Sequence, residues 1–153
     1  MAIVCATLVA LSAAAHGLGA GAGASLAPAA QGADKSVWDG VYTEEQAKRG
    51  ERIFNRQCSY CHGRDLSGTS IPGGPSLREA FLSQWREQTV QQMFATIGET
   101  MPKSDPGSLS LQDCVDVVSY ILQVNKLPAG GTELPPDPQK LEHFLITDKP
   151  PKG

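Results

Sequence analysis

Five consecutive residues, Cys58-Ser59-Tyr60-Cys61-His62, constrain this chain more than any other feature it contains. Two thiols separated by two residues reach the two vinyl groups along one porphyrin edge. The adjacent histidine can then turn its imidazole beneath the ring to bind iron. The spacing is the signature for covalent attachment of a c-type haem, and a chain so tethered completes its core with a large apolar cofactor. Two other chemistries use a Cys-x-x-Cys pair. A thioredoxin-like redox motif expects an α/β pattern, which is absent here. Half a zinc site expects a second ligand pair at its own short spacing, whereas Cys114, His16 and His143 stand alone.

The periodicity around the motif is helical. Thr43 with Gln46 three residues on reads as a capping box, and Ala47, Gly50 and Phe54 then share one face. A second such start, Thr89 with Gln92, precedes Val90, Met93, Phe94 and Ile97, and Gly98 is the expected C-terminal stop. A third helix is expected after Ser110, carrying Cys114, Val117, Val118 and Ile121 and ending near Asn125, ahead of Pro128. A shorter helical piece is expected around Glu79–Trp85, and no alternating strand pattern of useful length occurs. The expected class is all-α, with three main helices and short helical segments around one covalently bound haem.

The 153 residues carry 13 Lys and Arg against 16 Asp and Glu, and every one of these charges falls after Ala33. Ala2 to Ala15 is a run of 14 small and apolar residues. That is the length of a signal-peptide h-region and short of the ~20 residues a spanning helix needs. Ala22-Gly23-Ala24 has the small residues of a cleavage site, with Ala27-Pro28-Ala29 as a second candidate. No Lys or Arg precedes the run, so a retained weak anchor and a plain Ala/Gly linker stay open beside export, the favoured reading. Cys5 would leave with a cleaved leader. The chain then divides into residues 1–33, a haem domain over 34–127 and a proline-rich extension over 128–153. That extension holds six of the eleven prolines and is expected to be largely extended, with Leu141, Phe144 and Leu145 able to dock on the domain. Setting it aside leaves roughly 90 residues, a size at which a metal, disulfide or cofactor commonly completes the core. The net charge of −3 lacks the basic footprint of a nucleic-acid binder.

The second axial position decides the function. Met93 lies on the apolar face of the second helix, where methionine serves as core filler. Met101 follows Gly98 and precedes Pro102, in a loop free to cross the distal face, and is the favoured ligand. His143 is the other distal candidate and is expected at the surface.

At these residues the chain resembles the class I c-type cytochromes, particularly the bacterial ones that serve periplasmic dehydrogenases, over about Val37 to Leu127. Gly50 and Phe54 on the first helix, with Val117 and Tyr120 on the last, are similar to that family's crossing of terminal helices. Gly74-Pro75-Ser76-Leu77 resembles the loop whose proline carbonyl accepts a hydrogen bond from the proximal histidine. The resemblance implies that Pro75 orients His62, that Leu77 packs on the haem face, and that Met101-Pro102 is the distal ligand dipeptide. Trp85 falls where the family commonly places an aromatic near a haem propionate, and plain core packing explains it equally well. Cys114 departs from the pattern, since that position more often carries an aromatic, and is expected to be a buried free thiol.

What the resemblance implies is a periplasmic electron carrier, or the cytochrome subunit of a dehydrogenase complex, with one haem c per chain. Its donor would be a periplasmic dehydrogenase, a quinoprotein for instance, and its acceptor another cytochrome or a terminal oxidase. It would touch the membrane only transiently or through an uncleaved N-terminal segment. The rival readings are a haem enzyme or gas sensor with a labile or open distal site, and a structural subunit tethering a dehydrogenase. A single Cys-x-x-Cys-His argues against the two-haem peroxidase type.

Overall fold

The computed structural model describes residues 35–147 apart from positions 72 and 79. The expected leader, its cleavage sites and Cys5 lie outside the described residues. In chain order come β1 (Lys35–Ser36), a 3₁₀ turn (Val37–Asp39), α1 (Glu44–Gln57), α2 (Ser59–His62), α3 (Ala80–Gln84), α4 (Val90–Thr100), α5 (Leu111–Val124), α6 (Pro138–Leu141) and β2 (Phe144–Leu145). The class is all-α, with one two-residue parallel pairing of β1 and β2 as its strand content among the described residues.

Each main helix starts on a side-chain cap. The hydroxyl of Thr43 accepts from Gln46 N at 3.1 Å and that of Ser110 from Asp113 N at 3.0 Å, while Thr89 and Gln92 satisfy each other reciprocally. These caps occupy amide groups that a helix start otherwise leaves without partners. Gln46, however, does not reach back to complete a capping box. It is fully buried, and its amide meets the backbone of Leu134 twice, Nε2 donating to Leu134 O at 2.9 Å and Leu134 N donating to Oε1 at 2.8 Å. A buried carboxamide needs both a donor and an acceptor, and an extended segment laid alongside supplies the pair.

Helix α4 continues past Gly98 to Thr100, with Met101 as its C-cap residue. The glycine is therefore no stop. It lies against α5, where a Cβ would sit 3.6 Å from Cys114 Sγ. Helices α1 and α5 cross at Gly50, where a Cβ would overlap the Asp116 carbonyl. Phe54 and Tyr120 close the crossing, their rings 5.5 Å apart.

Helix α5 separates two apolar clusters. Its Val115, Val118 and Leu122 belong to the larger one, with Val37, Met93 and Phe94. Its Val117, Tyr120 and Ile121 belong to the smaller one, with Ile53, Phe54, Leu66 and Leu77. The segment after α5 is built into the larger cluster: Leu134, Leu141 and Ile146 are each 0% exposed. Of the three docking candidates read from sequence, Leu141 is fully buried, Phe144 packs partly buried against that cluster and Leu145 is half-buried. The folded body thus extends well beyond Leu127.

Asp116 is only 2% exposed on α5, and the Arg49 guanidinium grips both its oxygens, Nε at 2.8 Å and Nη2 at 3.1 Å. The same guanidinium binds both oxygens of Glu133, at 2.9 and 2.8 Å. The two halves of this network are unequal. Arg49→Ala would strand a buried carboxylate and is expected to cost roughly 3 kcal/mol. Glu133→Ala breaks an exposed pair and is expected to cost less than about 1 kcal/mol. Denaturant unfolding of the two variants checks the ordering.

Candidate haem-binding site

Helix α1 delivers the motif. It ends where Cys58 N donates to Phe54 O at 2.8 Å, and the chain turns there with φ −120° and ψ −33° into the single turn of α2. Cys58 O accepts from both Cys61 N and His62 N, at 3.1 and 3.0 Å. This tight turn sends His62 inward, 8% exposed, and Tyr60 outward, 80% exposed.

The next loop folds over the motif's backbone. Thr69 Oγ1 donates to Cys61 O at 2.6 Å, and Gly68 N donates to His62 O at 2.8 Å. Gly74 passes so close to the Cys61 carbonyl that a Cβ would overlap it. That approach brings Pro75 O to 2.9 Å from His62 Nδ1. A carbonyl only accepts, so Nδ1 carries the proton and donates, which leaves the Nε2 lone pair free as a ligand. The bond also fixes the ring orientation. The Phe54 ring stands 6.5 Å from that of His62.

Cys58 and Cys61 are half-buried free thiols. Burial, and then the neighbouring Cys61, push the Cys58 thiol up to about 11. Cys114 is a buried free thiol that donates to Phe94 O at 3.3 Å, and burial pushes it up to about 12.

Cys58, Cys61, His62 and Pro75 are thus joined in one constellation. Leu77, 8% exposed, sits in the apolar cluster that Cys58 flanks. Met101 makes no hydrogen bond or ring contact with these residues among those described. It is half-buried at the end of α4, donates its N–H to Ile97 O at 3.0 Å, and is followed by a cis bond to Pro102. Met93 is 0% exposed in the larger cluster, and His143 is exposed between α6 and β2. Trp85 packs against the larger cluster and against Phe81, with ring centroids 6.0 Å apart. Its indole N–H is buried with no acceptor among the described residues.

Sequence reasoning passed over Thr69, which ties the loop to the motif, and Phe81 and Leu109, which are partly buried against both clusters. Ile97, packed in the same way, was named in the α4 periodicity. Nothing local marks Thr69, whose partner lies eight positions away.

The residues fit a haem. Two unpaired thiols, an imidazole with a free Nε2, flanking apolar side chains and an indole N–H lacking an acceptor are the donor set such a group requires. This is a c-type cytochrome domain. Residues 45–121 match the family model described as cytochrome c oxidase, cbb3-type, subunit III, and the chain belongs to that family. Its cofactor is therefore covalently bound haem c with its iron.

Thiosulfate dehydrogenase of Stutzerimonas stutzeri is 31% identical over 99 residues, 61% of this chain and 30% of that protein. The cytochrome bc1 complex cytochrome c subunit of Corynebacterium diphtheriae is 28% identical over 61% of this chain and 32% of its own length. Cytochrome c-551 of Bacillus subtilis is 34% identical over 42% of this chain and 54% of its own. This chain therefore spans between about a third and a half of these relatives. Among solved structures, sulfane dehydrogenase SoxCD of Paracoccus pantotrophus aligns over 71% of this chain and 61% of its own, at 17% identity and a TM-score of 0.46. No described helix is long and apolar enough to cross a membrane.

Proposed function

We propose that the chain is a monohaem electron carrier with His62 and Met101 as axial ligands, acting in the periplasm between a dehydrogenase and a respiratory acceptor. The observation that carries this reading is the bond between His62 Nδ1 and Pro75 O, which holds the imidazole with Nε2 free. Cys58 and Cys61 would anchor the cofactor through thioethers, and Leu77 and Phe54 would keep water from the proximal side. The buried Trp85 N–H would donate to a propionate. When bound, haem c supplies a one-electron iron couple, and a methionine ligand holds its potential high.

The difference in burial between the two methionines favours Met101 as the distal ligand, because Met93 is enclosed in the larger cluster. In the oxidised holoprotein, methionine ligation gives a weak long-wavelength absorption band. Met101→Ala is expected to abolish that band and Met93→Ala to keep it. A band persisting in Met101→Ala, or rapid carbon monoxide binding by the reduced wild type, overturns the assignment.

The dehydrogenase and bc1 names of the relatives support a place between a donor enzyme and a respiratory acceptor. The thiosulfate dehydrogenase match also favours a second reading, in which the chain is the cytochrome subunit of such an enzyme. Stable co-purification with a dehydrogenase separates that reading from a free carrier.

A further inference from the structure

The carbonyl that orients His62 belongs to a residue with little hold of its own. Pro75 has no N–H to donate and is exposed, so its neighbours set where Pro75 O stands. Downstream, Leu77 N donates to Leu66 O at 2.8 Å, and the Ser76 hydroxyl donates to the same oxygen at 3.2 Å. Asn125 Nδ2 donates to Leu77 O at 2.8 Å. These bonds tie the loop to itself and to α5, and none of them reaches the haem-attachment motif.

The tie to the motif is made upstream. Gly68 N donates to His62 O, and the next residue, Thr69, uses three groups at once. Its backbone exchanges two bonds with Gly74, Thr69 N donating to Gly74 O at 3.0 Å and Gly74 N to Thr69 O at 3.2 Å. Its hydroxyl donates to Cys61 O at 2.6 Å. The side chain thus holds the residue before His62, while the backbone holds the residue before Pro75. Among the described residues, only Thr69 is hydrogen-bonded to both. Gly74 also presses against that same Cys61 carbonyl, where a Cβ would overlap it. Branching at Cβ restricts the threonine to few rotamers, so the link has little slack.

We propose that Thr69 is a positioning residue for electron transfer, its hydroxyl setting how firmly Pro75 O holds the Nδ1 proton of His62. This rests on the electron-carrier reading above and adds a residue that acts on the iron through the proximal ligand. The partner bonded to the outer N–H of a ligating histidine tunes the metal, and hydrogen bonding is one of the levers that set a haem's potential. A loop that drifts from Cys61 carries Gly74 and then Pro75 O away from the imidazole.

The experiment uses the reduced, haem-loaded protein and follows exchange of the His62 Nδ1 proton with solvent by nuclear magnetic resonance. Thr69→Val removes the hydroxyl and keeps the branched shape. Exchange there is expected to quicken on the order of 10-fold, about the factor that one net hydrogen bond is worth. Thr69→Ser keeps the hydroxyl and is expected to stay within about 2-fold of the wild type. Thr43→Ala removes the cap of α1 instead, a loss of stability remote from the loop, and is expected to stay in that same range. The reduction potential is expected to rise in Thr69→Val alone, because an imidazole less firmly bonded at Nδ1 pushes less electron density to the iron.

Wild-type exchange in Thr69→Val, or equally fast exchange in Thr43→Ala, overturns the proposal. So does a serine variant that behaves like valine. Fast exchange at the wild-type potential overturns it as well, since the bond would then not reach the iron. If the valine variant loads no haem, Thr69→Ala is read in its place against the same controls. A wild type without a reversible one-electron couple ends the carrier reading, whereas a wild type with that couple and an indifferent valine variant ends only this one.

Discussion

Ending the chain at Leu127 is expected to leave no cooperatively folded protein. The residues removed include Leu134, Leu141 and Ile146, each fully buried in the larger cluster. Burying one such side chain stabilises by roughly 1.5–3 kcal/mol, so three together match much of the roughly 5–15 kcal/mol that holds a domain folded. The truncation also leaves the Gln46 carboxamide without Leu134 and opens one half of the Arg49 network. Far-ultraviolet circular dichroism during thermal unfolding would show a broad, shallow change in place of a sigmoid. A sharp transition within a few degrees of the full chain would refute the packing argument.

The second large effect is expected at Gly50. Alanine there places a methyl group on the Asp116 carbonyl, and backbone on backbone has no rotamer by which to yield. Helices α1 and α5 must move apart, which loosens Phe54 from Tyr120 and strains the Arg49–Asp116 pair. Overpacking commonly costs about 1–3 kcal/mol. Because this clash falls on a helix crossing, the loss is expected at or above the top of that range. Gly98→Ala supplies the contrast: a Cβ there meets only Cys114 Sγ at an ordinary 3.6 Å, and the change is expected to be neutral or slightly stabilising. Urea midpoints for the two variants decide the matter. Equal midpoints would mean that the crossing yields more readily than its geometry implies.

The parts of the fold legible in sequence were those written in local pattern. Thr43, Thr89 and Ser110 announce helix starts because a cap acts within three residues. The Cys58–His62 motif announces its chemistry because five adjacent positions carry it. The long-range partners were harder to see. Leu141 was named as a docking residue, but Leu134 and Ile146 stand in no periodic pattern, among prolines that signal extended backbone and say nothing of burial. Gln46 did carry a clue. A polar residue four positions before Gly50, on the face that meets the core, implies a buried partner without naming it. Gly98 misled because a glycine in an apolar helix reads alike whether it ends the helix or admits a neighbour. The Pro75 carbonyl beside His62 was reached by likeness to a family, since no local rule brings residues 62 and 75 together.

The pairing of β1 with β2 has a mechanical consequence. The strands run parallel, Lys35 beside Phe144 and Ser36 beside Leu145, so the chain enters at one end of the pair and leaves at the other. Tension applied between residues 35 and 147 therefore loads this clasp in shear. The strand bonds share the force with the Trp38 indole, which donates to Thr147 O, and with the contact between the Ser36 and Thr147 hydroxyls. An antiparallel pair pulled from one end would peel open a bond at a time. A pull on the ends of this domain must instead break several bonds together before it reaches the crossing of α1 and α5.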